Sequence, residues 1–337
     1  MAFADQQTNL DHSSDWMQLA ERVAAGGRLS QSEGLAILHA PDEQLLSLLA
    51  AAYWLRYRRH GNRVHLNVLL NAKSGLCGED CGYCSQSSVA QTEIPRYRIL
   101  DPQQIIAGAR RAADSRARTY CIVVSGRSPT DRELHIVAEA VSRIKAELPL
   151  RICVSPGLLT PQQAQLLARS GVDRINHNLN TSQRFYPRIC TTHSYQQRLD
   201  TLAAVRQAGM EICCGGIVGM GESDEDVVEM ALRIGQLEAE AVPVNFYQPI
   251  PGTPLARPTT LTPQYCLKVL CLFRMANPNC ELRIAAGREM HLRSLQPLGL
   301  FVADSIFVGD YLTTKGQPAE DDFRMIADLG FQPVVES

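Results

Sequence analysis

The sequence lacks the features of a membrane-bound, secreted or nucleic-acid-binding protein. No apolar run approaches the roughly 20 residues that span a bilayer, and the N-terminal stretch has no apolar core of a secretory signal. The formal net charge of −2 gives no support for binding a polyanion. We therefore expect a cytoplasmic protein with neither a membrane nor a nucleic acid as a partner.

A framework of disulfide bonds is not expected either, although cysteine itself is plentiful. The chain has 11 cysteines among its 337 residues. Cysteines of cytosolic proteins stay mostly reduced, and an odd number of them argues against a set of paired bridges. The cysteines are therefore candidates for metal binding or catalysis.

The sequence also has no low-complexity segment or linker that would divide it. Residues 1–60 are predicted as an N-terminal helical extension, in which Ser30 and Glu33 have the spacing of a capping box. The basic run at 56–63 is predicted as a solvated face. Residues 61–332 follow another pattern and are predicted to form the main domain.

Short β-rich runs alternate with helical patterns through this main domain. The predicted strands cover residues 63–70, 119–125, 151–155, 172–178, 211–218, 242–247, 281–286 and 305–309. Eight strands that alternate with helices predict an α/β fold, a (β/α)8 TIM-type barrel. An open doubly wound sheet is the alternative. In a barrel of this kind the active site lies at the carboxyl ends of the strands.

Three cysteines follow the first predicted strand, in the spacing Cys77-x3-Cys81-x2-Cys84. A structural zinc site wants four ligands, usually as two separated pairs, and no second pair of this kind follows. A [4Fe–4S] cluster ordinarily takes four cysteines, so three would leave one iron open to an outside ligand. The spacing favours the iron–sulfur cluster, with zinc as the alternative.

A second set of residues is spread over the predicted strands. Cys121, Cys153 and Cys213 each lie within a strand, and Arg283 lies in the seventh. Since strand side chains alternate between two faces, one residue from each strand can converge inside a barrel. The alternative is that these cysteines are small buried hydrophobic residues, as free cysteines often are.

The whole pattern resembles the biotin synthase family of radical S-adenosylmethionine enzymes. The resemblance covers about residues 45–332 and includes a C-terminal region typical of biotin synthases. It is carried by stretches such as LLNAKSGLCGEDCGYCSQSS, VDRINHNLNTS, CGGIVGMGES, VPVNFYQPIPGTPL and LRIAAGRE.

The resemblance implies two clusters and a cofactor. Cys77, Cys81 and Cys84 match the ligands of a [4Fe–4S] cluster whose open iron binds S-adenosyl-L-methionine. A [2Fe–2S] cluster is implied on the second set, whose matching ligands are Cys121, Cys153, Cys213 and Arg283. The leftover cysteines are interpreted as packing residues, and they are Cys190, Cys214, Cys266, Cys271 and Cys280.

The same resemblance implies roles for polar residues at the barrel mouth. Tyr83, Asn178, Asn180 and Arg198 match cofactor-binding positions, and Asn178 also matches a substrate-binding position, as does Asn245. The position of Asn180 carries Asp in some members. Asparagine there would be an uncharged and therefore weaker acceptor for the ribose hydroxyls.

The activity that the resemblance implies is a sulfurtransferase reaction, the radical-mediated insertion of sulfur into dethiobiotin to form biotin. A flavodoxin-type electron donor and a homodimer are implied as well. One alternative is another radical enzyme of the same barrel fold, of the hydrogenase-cluster maturase or methylornithine synthase type. A non-enzymatic iron–sulfur electron-transfer protein is the alternative from a different class.

Overall fold

A closed barrel of parallel strands forms the centre of the structure, a computed structural model that describes residues 13–256 and 261–334. The strands are β1 (Arg63–Lys73), β2 (Thr119–Val124), β3 (Arg151–Ser155), β4 (Arg174–Asn176), β5 (Glu211–Cys213), β6 (Gly216–Val218), β7 (Ala241–Phe246), β8 (Glu281–Ile284), β9 (Ser305–Phe307) and β10 (Gln332–Pro333). Neighbours in the barrel pair in parallel, and β1 pairs with β9 to close it. The predicted (β/α)8 barrel is thus confirmed, with β5 and β6 as two parts of one predicted strand and with β10 pairing with the start of β1 in addition to the eight.

Helices surround this barrel and alternate with its strands. They are α1 (Ser13–Ala24), α2 (Gln31–Leu38), α3 (Leu45–His60), α4 (Pro102–Asp114), α5 (Asp131–Glu147), α6 (Pro161–Arg169), α7 (Tyr195–Gln207), α8 (Asp224–Gln236), α9 (Pro263–Ala276), α10 (Arg288–Leu292), α11 (Gln296–Val302) and α12 (Ala319–Asp328). Capping boxes at Asp101, Thr130, Thr160 and Ser194 begin α4 to α7. Each satisfies backbone N–H groups that a helix start leaves free.

The first three helices, α1 to α3, precede β1, and Ser30 and Glu33 form the predicted capping box at the start of α2. The first 12 residues of the predicted extension lie outside the described residues. Within the described ranges, no helix is long and apolar enough to cross a membrane.

The interruption between β5 and β6 has a local cause in the neighbouring strand. Gly216 of β6 pairs with Val244 of β7, and Cys213 of β5 pairs with Ala241, so the register is the same on both sides of the gap. Pro243 lies opposite the gap and has no backbone N–H to donate to the ladder. The strand continues in direction and keeps the hydrogen bond from the Cys214 N–H to the Ala241 carbonyl, while Pro243 cannot donate the next one.

The prediction of a solvated face at 56–63 is wrong for Arg56. This side chain is fully buried, and its guanidinium donates to the backbone carbonyls of Ala303, Gly61 and Arg63. It also stacks on Phe331, with its carbon Cζ 4.3 Å from the ring centre. The buried charge thus has hydrogen-bond partners, as a buried cation requires.

Candidate active site

A cavity of about 270 Å³ lies among the carboxyl ends of the strands and the loops that follow them. This is near the lower end of the range of about 300–1,000 Å³ for small-molecule sites. Cys84 from the loop after β1 lines it together with Cys121, Cys153 and Arg283. Its other polar lining residues include Tyr83, Ser155, Asn176, Asn178, Asn245, Gln248, Tyr311 and Thr313. One cavity therefore contacts members of both predicted ligand sets.

The strand cysteines converge inside the barrel, as the alternation of side chains predicts. Cys121 and Cys153 are direct partners in the pairing of β2 with β3, and both pack with Cys213 in a small cluster. All three are at most 5% exposed. Cys214, the next residue after Cys213, belongs instead to the large hydrophobic core. Its interpretation as a packing residue fits this position.

The thiols of this cluster are held in mutual contact and away from water. Contact with the Cys121 thiol raises the pKa of Cys153, and contact with the Cys153 thiol raises the pKa of Cys213, with burial adding to both shifts. Thiolates would therefore form here only with a metal to stabilise them. Three adjacent soft donors fit the chemistry of an iron–sulfur cluster.

Arg283 of β8 lines this cavity and is held in position by a layer of buried polar side chains. Its Nη2 donates to Glu281 at 2.6 Å and its Nε donates to Ser305 at 3.1 Å. Burial by itself would lower the pKa of Arg283. The nearby Glu281 carboxylate more than offsets this, so the pKa is raised overall. The guanidinium is therefore a cation held near the thiols of Cys213 and Cys121.

This polar layer continues across the barrel through Arg174 of β4. Its Nη1 donates to Glu281 at 3.0 Å, and its Nη2 donates to Glu211 at 2.8 Å. Glu281 thus accepts from two buried arginines, Arg174 and Arg283, with one carboxylate. Residues 174 and 281 were missed by the sequence analysis. An arginine and a glutamate on the inward side of core strands are the signal that could have revealed them.

The loop cysteines are less deeply placed than the strand cysteines. Cys81 is buried, whereas Cys77 and Cys84 are half-buried. Burial raises the pKa of Cys77 and raises that of Cys84 to about 11. These thiols too would ionise on binding a metal, so their chemistry fits a cluster ligand set.

Cys190 is not the plain packing residue that the sequence analysis expected. It is buried, but its Sγ lies 3.2 Å from Asp80 Oδ1 and 3.2 Å from His193 Nδ1. It also contacts the Cys81 thiol, and this contact raises the pKa of Cys81 and lowers that of Cys190. The other cysteines of that group, Cys266, Cys271 and Cys280, lie in the hydrophobic core as expected.

Two predicted asparagines line the cavity and differ in which groups they leave free. The Oδ1 of Asn178 accepts from Asn176 Nδ2 and from the backbone N–H of Gly215, both at 3.0 Å. Both lone pairs of this oxygen are therefore in use. Asn245 donates once, to the Gly216 carbonyl, and accepts once, from the Ala286 N–H. One N–H and one oxygen lone pair of Asn245 therefore remain available to a ligand.

The remaining predicted cofactor residues form a group beside the loop cysteines. Asn180 has a left-handed backbone, at φ +71°, and its Nδ2 donates to the Tyr83 hydroxyl at 2.6 Å. Arg198 donates to the Asn178 carbonyl at 2.9 Å and contacts Tyr186 and His193. Tyr83 lines the cavity, whereas Asn180 and Arg198 support residues that do.

Asn176 is a further cavity residue that sequence reasoning did not single out. Its Nδ2 lies 3.3 Å from the Cys213 sulfur and donates to Asn178 at 3.0 Å. It therefore connects the strand cysteines with the predicted substrate-binding amide. Its place in the same run as Asn178, two positions apart and so on the same strand face, was the available signal.

A barrel with three cysteines in the loop after its first strand is the arrangement of a radical S-adenosylmethionine enzyme, and the comparisons agree. Residues 73–234 match the family model described as the Radical SAM superfamily. Residues 243–332 match the model described as the Biotin and Thiamin Synthesis associated domain.

Curated relatives identify the family more narrowly. The biotin synthase of Anoxybacillus flavithermus is 52% identical over 94% of this chain and 96% of its own length. That of Bacillus velezensis is 53% identical over 95% of this chain and 94% of its own length. The chain therefore belongs to the biotin synthase family.

Solved structures share the fold at much lower identity. Methylornithine synthase is 21% identical, with a TM-score of 0.82 over 94% of this chain and 97% of its own. The hydrogenase maturase HydG of Carboxydothermus hydrogenoformans is 18% identical, with a TM-score of 0.79 over 96% of this chain and 80% of its own. These likenesses show the barrel and do not favour either alternative activity.

Proposed function

We propose that the cavity is the site of sulfur insertion into dethiobiotin, and that it works by placing the substrate between two metal centres. The protein is a biotin synthase by family and uses S-adenosyl-L-methionine, a [4Fe–4S] cluster and a [2Fe–2S] cluster. The observation that carries the proposal is that one cavity is lined both by Cys84 of the loop set and by Cys121 and Cys153 of the strand set.

The residues proposed to hold the two clusters are those that match the family's cluster ligands. Cys77, Cys81 and Cys84 would hold the [4Fe–4S] cluster and leave one iron for the cofactor. Cys121, Cys153, Cys213 and Arg283 would hold the [2Fe–2S] cluster. When bound, the first supplies the electron that cleaves S-adenosylmethionine to a 5′-deoxyadenosyl radical, and the second supplies the sulfur atom.

The protein's own part is to bind, orient and keep water away. Unactivated C–H bonds cannot be broken by acid–base groups, because no side chain has a pKa near theirs. The reaction therefore depends on holding the reacting carbon in line. Apolar side chains also line the cavity and would exclude water from reactive species, among them Leu69, Val123, Ile217, Phe246 and Phe307.

The asparagines give the ureido ring of dethiobiotin a matching set of partners. Because both lone pairs of the Asn178 oxygen are used, that side chain offers only N–H donors, which suit the ureido carbonyl. The spare acceptor of Asn245 suits a ureido N–H. Tyr83, Asn180 and Arg198 would bind or support the adenosylmethionine, since they lie together on the loop-cysteine side.

An electron donor of the flavodoxin type is proposed to dock near the loop cysteines. Leu76 and Val89 are exposed by 46% and 44%, and they flank the segment that contains Cys77, Cys81 and Cys84. A cytoplasmic location and a homodimer complete the proposal, and sedimentation of the full chain would test the dimer.

The experiment that tests the reaction uses the full chain, reconstituted anaerobically with iron and sulfide. It is given dethiobiotin, S-adenosylmethionine and a reductant, with a heavy sulfur isotope in the clusters. We expect labelled biotin and two molecules of 5′-deoxyadenosine for each biotin, because two C–S bonds need two hydrogen abstractions. Cleavage of S-adenosylmethionine without use of dethiobiotin would contradict the proposal.

A further inference from the structure

Cys190 and His193 belong to neither of the two proposed cluster ligand sets, yet each places a possible metal-ligand atom next to the Cys81 sulfur. The sulfurs of Cys81 and Cys190 and a ring nitrogen of His193 all lie within 4.8 Å of one another, and all three residues are buried. The Cys190 sulfur is 3.2 Å from Nδ1 of His193. Two thiolates and one imidazole form a ligand set that Zn²⁺ takes in proteins.

The two loops that supply these ligands are fastened together on both sides of the cysteine pair. On one side, the backbone N–H of Gly82 donates to the Ile189 carbonyl at 2.9 Å. On the other, the Asp80 carboxylate accepts from the backbone N–H groups of Thr191 at 2.9 Å and Thr192 at 3.2 Å. The ligands are therefore placed before an ion arrives, so little ordering of the loops would oppose binding.

A fourth ligand is available in Glu79. Its carboxylate is buried, contacts Nδ1 of His193 and accepts from Thr192 Oγ1 at 2.6 Å. The three negative charges of two thiolates and this carboxylate would exceed the two positive charges of one Zn²⁺. Arg127, 3.7 Å from Glu79, and Arg198, beside His193, supply the compensating positive charge.

When Nδ1 of His193 binds a metal, the ring proton can lie on Nε2. In the structure Nε2 accepts from Arg198 at 2.9 Å and lies 2.8 Å from the Tyr186 hydroxyl. With Nδ1 coordinated, Nε2 carries the proton and donates to Tyr186. Metal-bound histidines ordinarily donate from the second ring nitrogen in this way. Arg198 gives up the contact with His193 and keeps those with Tyr186 and the Asn178 carbonyl.

We propose that the chain without its [4Fe–4S] cluster binds one Zn²⁺ through Cys81, Cys190 and His193, with Glu79 or a water as the fourth ligand. Binding displaces whatever protons the two thiols still carry and involves no change of oxidation state. Since Cys81 also belongs to the loop cysteine set, zinc and the cluster exclude each other. The zinc site concerns the cluster-free chain and is independent of the sulfur-insertion residues, whereas the mutual exclusion rests on the proposed assignment of Cys81 to the cluster.

The test uses the full chain, prepared anaerobically in reducing buffer without iron, and titrated with Zn²⁺ against a coloured chelator. We expect one ion per chain. Cys190→Ala and His193→Gln should each weaken the affinity at least about tenfold, as loss of a direct ligand should exceed the effect of an outer partner. Cys77→Ala should bind as the parent does, and Cys271→Ala, in the core helix α9, is the matched control. Circular dichroism checks that each variant is folded.

Co²⁺ in place of Zn²⁺ reports the ligands directly. The parent should show thiolate-to-cobalt absorption, and Cys190→Ala should reduce it to about half, because one of two thiolates is removed. If Cys77→Ala weakens binding and Cys190→Ala and His193→Gln do not, the ion lies on the loop triplet and the proposal is wrong. Absence of tight binding to the parent would overturn it as well.

A third measurement addresses competition with the cluster. The parent loaded with one equivalent of Zn²⁺ should fail to gain [4Fe–4S] absorption when iron and sulfide are added. Cys190→Ala, treated in the same way, should gain it. Equal cluster assembly in the zinc-loaded parent and in the zinc-free parent would contradict the exclusion of one metal by the other.

Discussion

The loop cysteines and the strand cysteines are held by different kinds of structure. Cys77, Cys81 and Cys84 lie on a loop whose position depends on a second loop, through contacts such as that of Gly82 with Ile189. Cys121, Cys153 and Cys213 are instead fixed by the ladder of the barrel, where neighbouring strands set their register. The loop leaves two of its cysteines half-buried, and the strands bury all three of theirs.

This difference suits the two proposed tasks. A centre that must bind a cofactor and receive an electron needs an open side, which a surface loop provides. A centre that supplies an atom to a bound substrate needs a fixed position, which a strand provides better than a loop. Exposure thus belongs to the loop cysteines and a rigid position to the strand cysteines.

The largest effect is expected from removing a loop cysteine. Cys81→Ala takes one of three ligands from the proposed [4Fe–4S] cluster, so cleavage of S-adenosylmethionine should fall to background, and biotin formation with it. Anaerobic assay of 5′-deoxyadenosine measures this. Cys271→Ala, which removes a core thiol from α9, should keep the activity. Parent-like cleavage by Cys81→Ala would refute the assignment of the loop set.

Loss of iron on exposure to air should distinguish the two sets without any mutation. Cys77 and Cys84 are partly exposed, whereas the strand cysteines are at most 5% exposed, so oxygen and chelators reach the loop set first. Visible spectra recorded over time with a chelator present should show the [4Fe–4S] signal disappearing while the [2Fe–2S] signal remains. Simultaneous loss of both signals would mean that burial does not separate the two centres.

Glu281→Gln should weaken the polar layer beneath the strand set. The carboxylate accepts from Arg283 and Arg174, and breaking a buried pair costs about 3–5 kcal/mol. We expect a loss of unfolding free energy of this size in urea, with a lower [2Fe–2S] content. Glu147→Gln, which breaks an exposed pair with Arg110, should cost at most about 1 kcal/mol. Similar losses of unfolding free energy for both variants would show that the buried layer stabilises the fold no more than an exposed ion pair does.

The smallest effect is expected at Asn180. Asn180→Asp keeps an oxygen, and the Tyr83 hydroxyl can donate to the new carboxylate in place of accepting from the amide. A hydrogen bond to a charged group contributes about 1.5–3 kcal/mol, against about 1 for a neutral one. S-adenosylmethionine should therefore bind equally or a few-fold more tightly in anaerobic calorimetry. A large loss of affinity would mean that the Asn180 amide is needed as a donor.

Much of the barrel and of the strand set could be predicted because both depend on short-range periodicity. The alternation of inward and outward residues separates Cys213 from Cys214, and the structure places them accordingly. The break between β5 and β6 was not predicted, since its cause is Pro243 on the neighbouring strand. No pattern within residues 211–218 reveals that pairing.

The loop contacts were beyond sequence reasoning for a similar reason. Cys190 is 109 positions from Cys81 in the sequence, and only the folded chain brings their sulfurs together. The burial of Arg56 likewise depends on the distant carbonyl of Ala303 and the ring of Phe331. Contacts between distant segments follow from tertiary packing, which local patterns do not record.

The most direct test of the account is the comparison of two products made by Cys153→Ser. If the strand set only supplies sulfur, this variant should keep its [4Fe–4S] cluster, bind S-adenosylmethionine and still form 5′-deoxyadenosine, while biotin falls to background. Iron and sulfide analysis of the same anaerobic sample should show the loss of the second cluster. Biotin formation at the parent rate by Cys153→Ser would contradict the division of tasks between the two cysteine sets.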